Sequence, residues 1–175
     1  MKKIAYDIIF VILNSFITHI PSWTIRKIFY RCFGLKIGEN SRINMGIKIF
    51  SPWKLQIGYN TIINEQCIID ARGGVSIGDN CSISARATIY SASHFINSVS
   101  FEGFTKNIRV GNGVWLCAMS TILPGSILND YTVIGANSLF KGESNRCGIY
   151  IGVPATLKKY RSIKSLKIKN EFYFR

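Results

Sequence analysis

Acid is scarce in this chain. Nine Asp and Glu stand against 22 Lys and Arg, a formal net charge of +13 among 175 residues. Imidazole is scarcer still, with two histidines, His19 and His94. The five cysteines form no CxxC pair, and an odd, scattered set excludes a disulfide framework and points to a reducing cytoplasm. No apolar run is long and clean enough for a membrane span: Ile8 to Leu13 and the apolar residues that follow are interrupted by Asp7, Asn14 and His19. No small-residue cleavage site follows, so a secretory leader is not expected either.

The positive charge is concentrated at the two ends. Residues 1–36 hold six Lys and Arg against one acid, and residues 158–175 hold seven against one. Two readings stand side by side: solubility for an otherwise apolar body, or attraction to an anionic surface. Nucleic acid is not expected as a partner, because the basic residues are not interleaved with aromatics on a recognisable module. The N-terminal segment divides at Pro21 into an apolar helix and a basic amphipathic one, Trp23 to Phe33, ended by Gly34. Such helices can cap a repeat body or lie in a lipid headgroup layer at the inner membrane face.

What is present is repetition. IGENS at Ile37, IGYNT at Ile57, IGDNC at Ile77 and VGNGV at Val110 are near-copies, the first three recurring every 20 residues. Within them large aliphatics step by six: Ile37, Ile43, Ile49; Ile57, Ile63, Ile69; Ile77, Ile83, Ile89; then Val110, Leu116, Ile122, Leu128, Ile134 and Phe140. A six-residue step is neither the period of a helix nor that of a half-buried strand. It fits a short strand and a corner, three times per coil, with a small residue four positions after each aliphatic (Ser41, Thr61, Cys67, Cys81, Ala87, Val114). The expected fold is mainly β, a stacked solenoid over 37–155 between an N-terminal helical cap (1–36) and a basic C-terminal helix or tail (156–175).

The hexads stop at Tyr90-Ser91-Ala92-Ser93-His94 and resume at Ile108, after residues 95–107. A long excursion from a regular scaffold has no packing reason to exist and is where function is expected. His94, at its root, can take a proton near neutral pH. No serine or cysteine has an evident base partner, so Ser91 and Ser93 read as turn formers and Cys117 as a corner residue.

SASH at 91–94, VGNGVWLCAMSTILPGSIL at 110–128, VIGANSLF at 133–140 and IGVPATLKK at 151–159 together resemble the hexapeptide-repeat acyltransferases, in the branch of sugar and polysaccharide O-acetyltransferases. That resemblance implies a left-handed parallel β-helix, a homotrimer with active sites between neighbouring prisms, acetyl-CoA as acyl donor and no metal. It further implies His94 as general base for a sugar hydroxyl. Ala118 and Ala136 match positions whose backbone holds the pantetheine arm, with the Ala118 amide facing the thioester oxygen, and Trp115 matches a residue shaping the same groove. Lys158 and Lys159 match residues that meet the CoA phosphates. Asn64 and Gln66 match acceptor-binding amides. Gly142 stands where relatives often have Lys, and Lys141 beside it could substitute.

A γ-class carbonic anhydrase would need three histidines on one metal, which this chain does not supply, and a nucleotidyltransferase would need a large N-terminal domain. An O-acetyltransferase acting on an O-antigen or capsule precursor is expected. N-acetylation of an amino sugar or serine-type acceptor, and a non-catalytic trimeric scaffold at the membrane surface, are the alternatives.

Overall fold

The six-residue step becomes a three-sided coil. In the computed structural model, which describes residues 2–163, three parallel sheets form the sides of a prism. The first side stacks Lys36–Ile37, Leu55–Ile57, Val75–Ile77, Ile108–Val110 and Ile127–Leu128. The second stacks Arg42–Ile43, Ile62–Ile63, Ser82–Ile83, Trp115–Leu116, Val133–Ile134 and Gly148–Gly152. The third stacks Lys48–Phe50, Ile68–Asp70, Thr88–Tyr90, Thr121–Ile122 and Leu139–Phe140. Register follows the repeat: Ile37 lies opposite Ile57, Ile57 opposite Ile77, and Val110 opposite Leu128. Ile43, Ile63, Ile83, Leu116 and Ile134 form one inward column with no exposed surface, each side chain contributing roughly 1.5–3 kcal/mol by leaving water.

The corners explain the Ile-Gly-x-Asn phrase. At the corner joining the first and second sides, the second residue after the inward aliphatic sends a side-chain oxygen to the backbone of the coil beneath. Asp79 Oδ1 accepts from Tyr59 N at 2.7 Å, Asn112 Oδ1 from Asp79 N at 2.8 Å, and Asp130 Oδ1 from Asn112 N at 2.7 Å. A Cβ on Gly58 would lie 2.2 Å from the Asp79 oxygen, and one on Gly78 2.6 Å from that of Asn112. Glycine is therefore required by the oxygen stacked above it. The next corner residue adopts a left-handed backbone, as in Asn60 (φ 52) and Asn80 (φ 53), where asparagine is among the least strained residues.

Helix α1 (Lys2–Val11) continues through a wide turn, Ile12–Phe16, and a tight one, Ile17–His19, and α2 spans Trp23–Cys32. The segment plugs the first coil. Leu13, Ile17 and Tyr30 are buried over its core, and polar side chains meet the backbone of all three bottom strands. Asn14 donates to Ile49 O at 3.0 Å and accepts from Ile49 N at 2.7 Å. Thr18 donates to Ile47 O at 2.9 Å, Arg26 to Ile43 O at 2.9 Å, and Arg31 to Ile37 O at 2.9 Å. Asn14, an interruption when read as sequence, is thus one of the closing contacts. The other surface of α1 exposes Ile4, Ile8, Val11 and, just beyond it, Ile12 and Phe16.

At the far end the expected helix or tail begins as a strand, Ala155–Tyr160, antiparallel to Gly148–Gly152. Arg161 ties it down by donating to Gly113 O at 3.1 Å and Tyr131 O at 3.2 Å. The remainder of that expectation, residues 164–175, lies outside the described residues.

Candidate active site

The excursion is an antiparallel hairpin, with Ala92–His94 paired to Gly103–Thr105. It leaves the corner between the third and first sides, and its root is fixed by Ser91, which is fully buried and whose Oγ accepts from Gly73 N at 2.8 Å. His94 is exposed. Its Nδ1 is 2.8 Å from Phe101 O, and the Phe101 ring stacks on the imidazole at 4.2 Å with 14° between planes. A carbonyl oxygen can only accept, so Nδ1 carries a proton, and in the neutral ring Nε2 is the nitrogen with the lone pair. Phe101 reaches this position with a left-handed backbone (φ 53), an uncommon conformation for a bulky residue.

The second functional element is an edge whose amides are open. Where the second side turns into the third, the corner residues equivalent to Tyr59 and Asp79 are Glu65, Ala85, Ala118 and Ala136. Alanine has no oxygen to offer the coil beneath, and among the described residues the N–H groups of Ala118 and Ala136 have no internal acceptor. The two alanines lie one above the other, joined by Asn137 N donating to Ala118 O at 3.1 Å. They form a short column of free donors on a rigid wall.

Asn64 and Gln66 lie on the same edge, below the alanines. Asn64 accepts from Asn44 Nδ2 at 3.1 Å and donates to Ile83 O at 3.0 Å. Gln66 accepts from Arg86 Nε at 2.7 Å. Trp115, on the second side, is 45% exposed and donates from Nε1 to Ser84 Oγ at 3.0 Å, so its indole borders this edge. Lys158 and Lys159 sit on the strand that closes the second side. Lys141 and His94 belong to the opposite corner column, between the third and first sides. Within one chain the structure therefore gathers Asn64, Gln66, Trp115, Ala118 and Ala136, and separates His94 from them by a whole face.

No protein-family model matches the chain, but individual relatives do. It is 33% identical over 117 residues to the putative colanic acid biosynthesis acetyltransferase WcaF of Escherichia coli strain K12, over 66% of this chain and 64% of that protein. The chain thus spans slightly under two thirds of that relative's length. It is 30% identical over 156 residues to the dTDP-4-amino-4,6-dideoxy-D-glucose acyltransferase of Escherichia coli, over 82% of this chain and 81% of that one. The chain belongs to the hexapeptide-repeat acyltransferases. The fold agrees: a hexapeptide-repeat-containing acetyltransferase of Vibrio cholerae O1 biovar eltor, solved with acetyl coenzyme A, superposes with a TM-score of 0.84 over 91% of this chain and 88% of that one, at 21% identity.

In this member of the hexapeptide-repeat acyltransferases three of the five cysteines, Cys67, Cys81 and Cys117, are poor nucleophiles. Burial pushes the Cys67 and Cys81 thiols up to about 12, and burial also raises that of Cys117, against the opposing pull of Arg161. Among the described residues no group of three His, Cys, Asp or Glu could hold a metal ion, and no helix is long and apolar enough to cross a membrane. Reading the sequence missed Phe101 as the partner of His94. A phenylalanine whose contribution is its backbone oxygen leaves no mark on side-chain chemistry.

Proposed function

We propose that the protein transfers an acetyl group from acetyl-CoA to a hydroxyl of a sugar, in the precursor of a surface polysaccharide such as O-antigen or capsule. The observation that carries this reading is the hydrogen bond from His94 Nδ1 to the Phe101 carbonyl, which presents Nε2 as a base. Nε2 takes the proton from the acceptor hydroxyl as its oxygen forms a bond to the thioester carbonyl carbon. The Ala118 N–H meets the negative charge that develops on the carbonyl oxygen. When the carbon–sulfur bond breaks, the imidazolium returns its proton to the departing thiolate. A positioned base contributes about 10²–10⁴ in rate, and an oriented backbone donor about 10²–10³.

The open edge fits the donor. The Ala118 and Ala136 amides would hold an extended pantetheine arm beside Trp115, and Lys158 and Lys159, with Lys141 of a neighbouring copy, would face the CoA phosphates. Asn64 and Gln66 would bind the acceptor. Because His94 stands on a different edge from Ala118, the reading requires a neighbouring copy, and a homotrimer brings the hairpin of one chain to the open edge of the next. The exposed apolar residues of α1, beside the basic N-terminus, support peripheral association with the cytoplasmic face of the membrane, where lipid-linked sugars are assembled.

The test is thiol release from acetyl-CoA with a panel of sugar acceptors, for wild type and His94→Ala. A fall of about 10²–10⁴ in kcat is expected for the variant; equal release by both proteins with every acceptor would refute the mechanism. A second reading, N-acylation of an amino sugar, is favoured by the name of the 30% identical relative. The same base can serve an amine, and a 4-amino-4,6-dideoxy sugar in the panel separates the two.

A further inference from the structure

Beneath the proposed oxyanion donor stands a guanidinium that no carboxylate among the described residues neutralises. Arg86 occupies the left-handed position of its corner (φ 60), with its side chain exposed. Met119 N donates to Ala85 O, which places Ala85 and Arg86 one strand spacing, about 4.8 Å, below Ala118 and Met119. Nε of Arg86 donates to Gln66 Oε1 at 2.7 Å, which braces the guanidinium plane against the coil below. Both Nη groups are without a partner among the described residues, where the one ion pair is Arg72 with Asp70 at 2.7 Å. Glu65, in the coil below, forms no ion pair with Arg86.

We propose that Arg86 receives an anionic group of the acceptor, a phosphate or carboxylate carried by the sugar close to the hydroxyl that is acetylated. The inference rests on the acyl-transfer reading of this edge. If the donor runs from Ala118 through Ala136 towards Lys158 and Lys159, the part of the edge left for the acceptor lies below Ala118, and Arg86 and Gln66 line it. The hairpin bearing His94 emerges from the same coil as Arg86, directly after Thr88–Tyr90. In copies related by an axis along the prism, the neighbour's hairpin and this guanidinium therefore stand at one level. Two free Nη donors in a fixed plane match two oxygens of a phosphate or carboxylate, a geometry an ammonium cannot reproduce. Gln66 sets the orientation of that plane.

The experiment is calorimetric titration of glucose, glucose 1-phosphate, UDP-glucose and glucuronate into wild type, Arg86→Gln and Arg86→Lys, with coenzyme A saturating so that the lysines at the far end are occupied. Wild type is expected to bind at least one charged sugar about 10- to 100-fold more tightly than glucose. The preference should fall to near unity in Arg86→Gln and return in part in Arg86→Lys. Preference for the phosphorylated sugars alone assigns the anion to a sugar phosphate, and preference for glucuronate alone assigns it to an acidic sugar. Absence of charge-dependent binding in wild type, or a preference that survives in Arg86→Gln, overturns the proposal. Failure of the acyl-transfer reading is distinct: it would appear as no thiol release with any acceptor, whereas the binding preference is read without turnover.

Discussion

Two edges of the prism use the same turn for opposite ends. Between the first and second sides the coils are latched, with Asp79, Asn112 and Asp130 each accepting a backbone N–H from the coil below. Between the second and third sides the equivalent positions are Ala85, Ala118 and Ala136, and among the described residues none of their three amides has an internal acceptor. Changing an oxygen-bearing residue to alanine at one corner position thus converts an internal hydrogen bond into a donor available to a ligand. Stability is drawn from one edge, and the other is left open to the proposed acyl donor, at no change in backbone path.

The sharpest way to break this contrast is to remove a free donor without disturbing the turn, and the chain contains the required template. Leu123-Pro124-Gly125-Ser126 repeats the corner Cys117-Ala118-Met119-Ser120: Ser126 N and Oγ bond to Leu123 O as Ser120 N and Oγ bond to Cys117 O. Ala118→Pro is therefore expected to fold and to lose about 10²–10³ in kcat, measured by thiol release, with the thermal midpoint little changed. A variant as active as wild type would remove Ala118 N–H from the mechanism.

On the latched edge the order of effects reverses. Gly78→Ala would bring a Cβ to 2.6 Å from Asn112 Oδ1 and 2.8 Å from the Gly111 backbone. A loss of about 2–3 kcal/mol in denaturant unfolding is expected from the overpacking. Asp130→Ala deletes a single acceptor, that for Asn112 N at 2.7 Å, and should cost about 1 kcal/mol while leaving the rate of acetyl transfer unaltered. If Asp130→Ala lowered the rate as much as Ala118→Pro, the separation of roles between the two edges would be lost.

Much of this could be read from the residues in order. The step of six in Ile43, Ile63 and Ile83 is a direct image of the inward column, because each coil repeats the same packing problem. The break at His94 was visible for the same reason, being the point where that problem stops recurring. The small residue at each corner's fourth position was visible too, and Thr61 shows why: its Oγ1 donates to Gly78 O at 2.8 Å and accepts from Cys81 N at 3.0 Å. What could not be read depends on contacts remote in sequence or on backbone atoms. Asn14 reaches Ile49 across 35 residues, and nothing in the periodic pattern announces a polar side chain that completes a strand. Phe101 acts on His94 through its carbonyl, and Arg86 is set apart by having a brace and, among the described residues, no counterion. Its spacing alone makes it one more corner residue.

The contacts of Asn14, Thr18, Arg26 and Arg31 carry a further consequence. A repeating coil has no internal reason to stop, and its last turn offers rows of unsatisfied amides and carbonyls at the spacing by which fibrils grow. By occupying those rows on all three sides of the first coil, four side chains close that end and help keep a polymer-like design a discrete molecule.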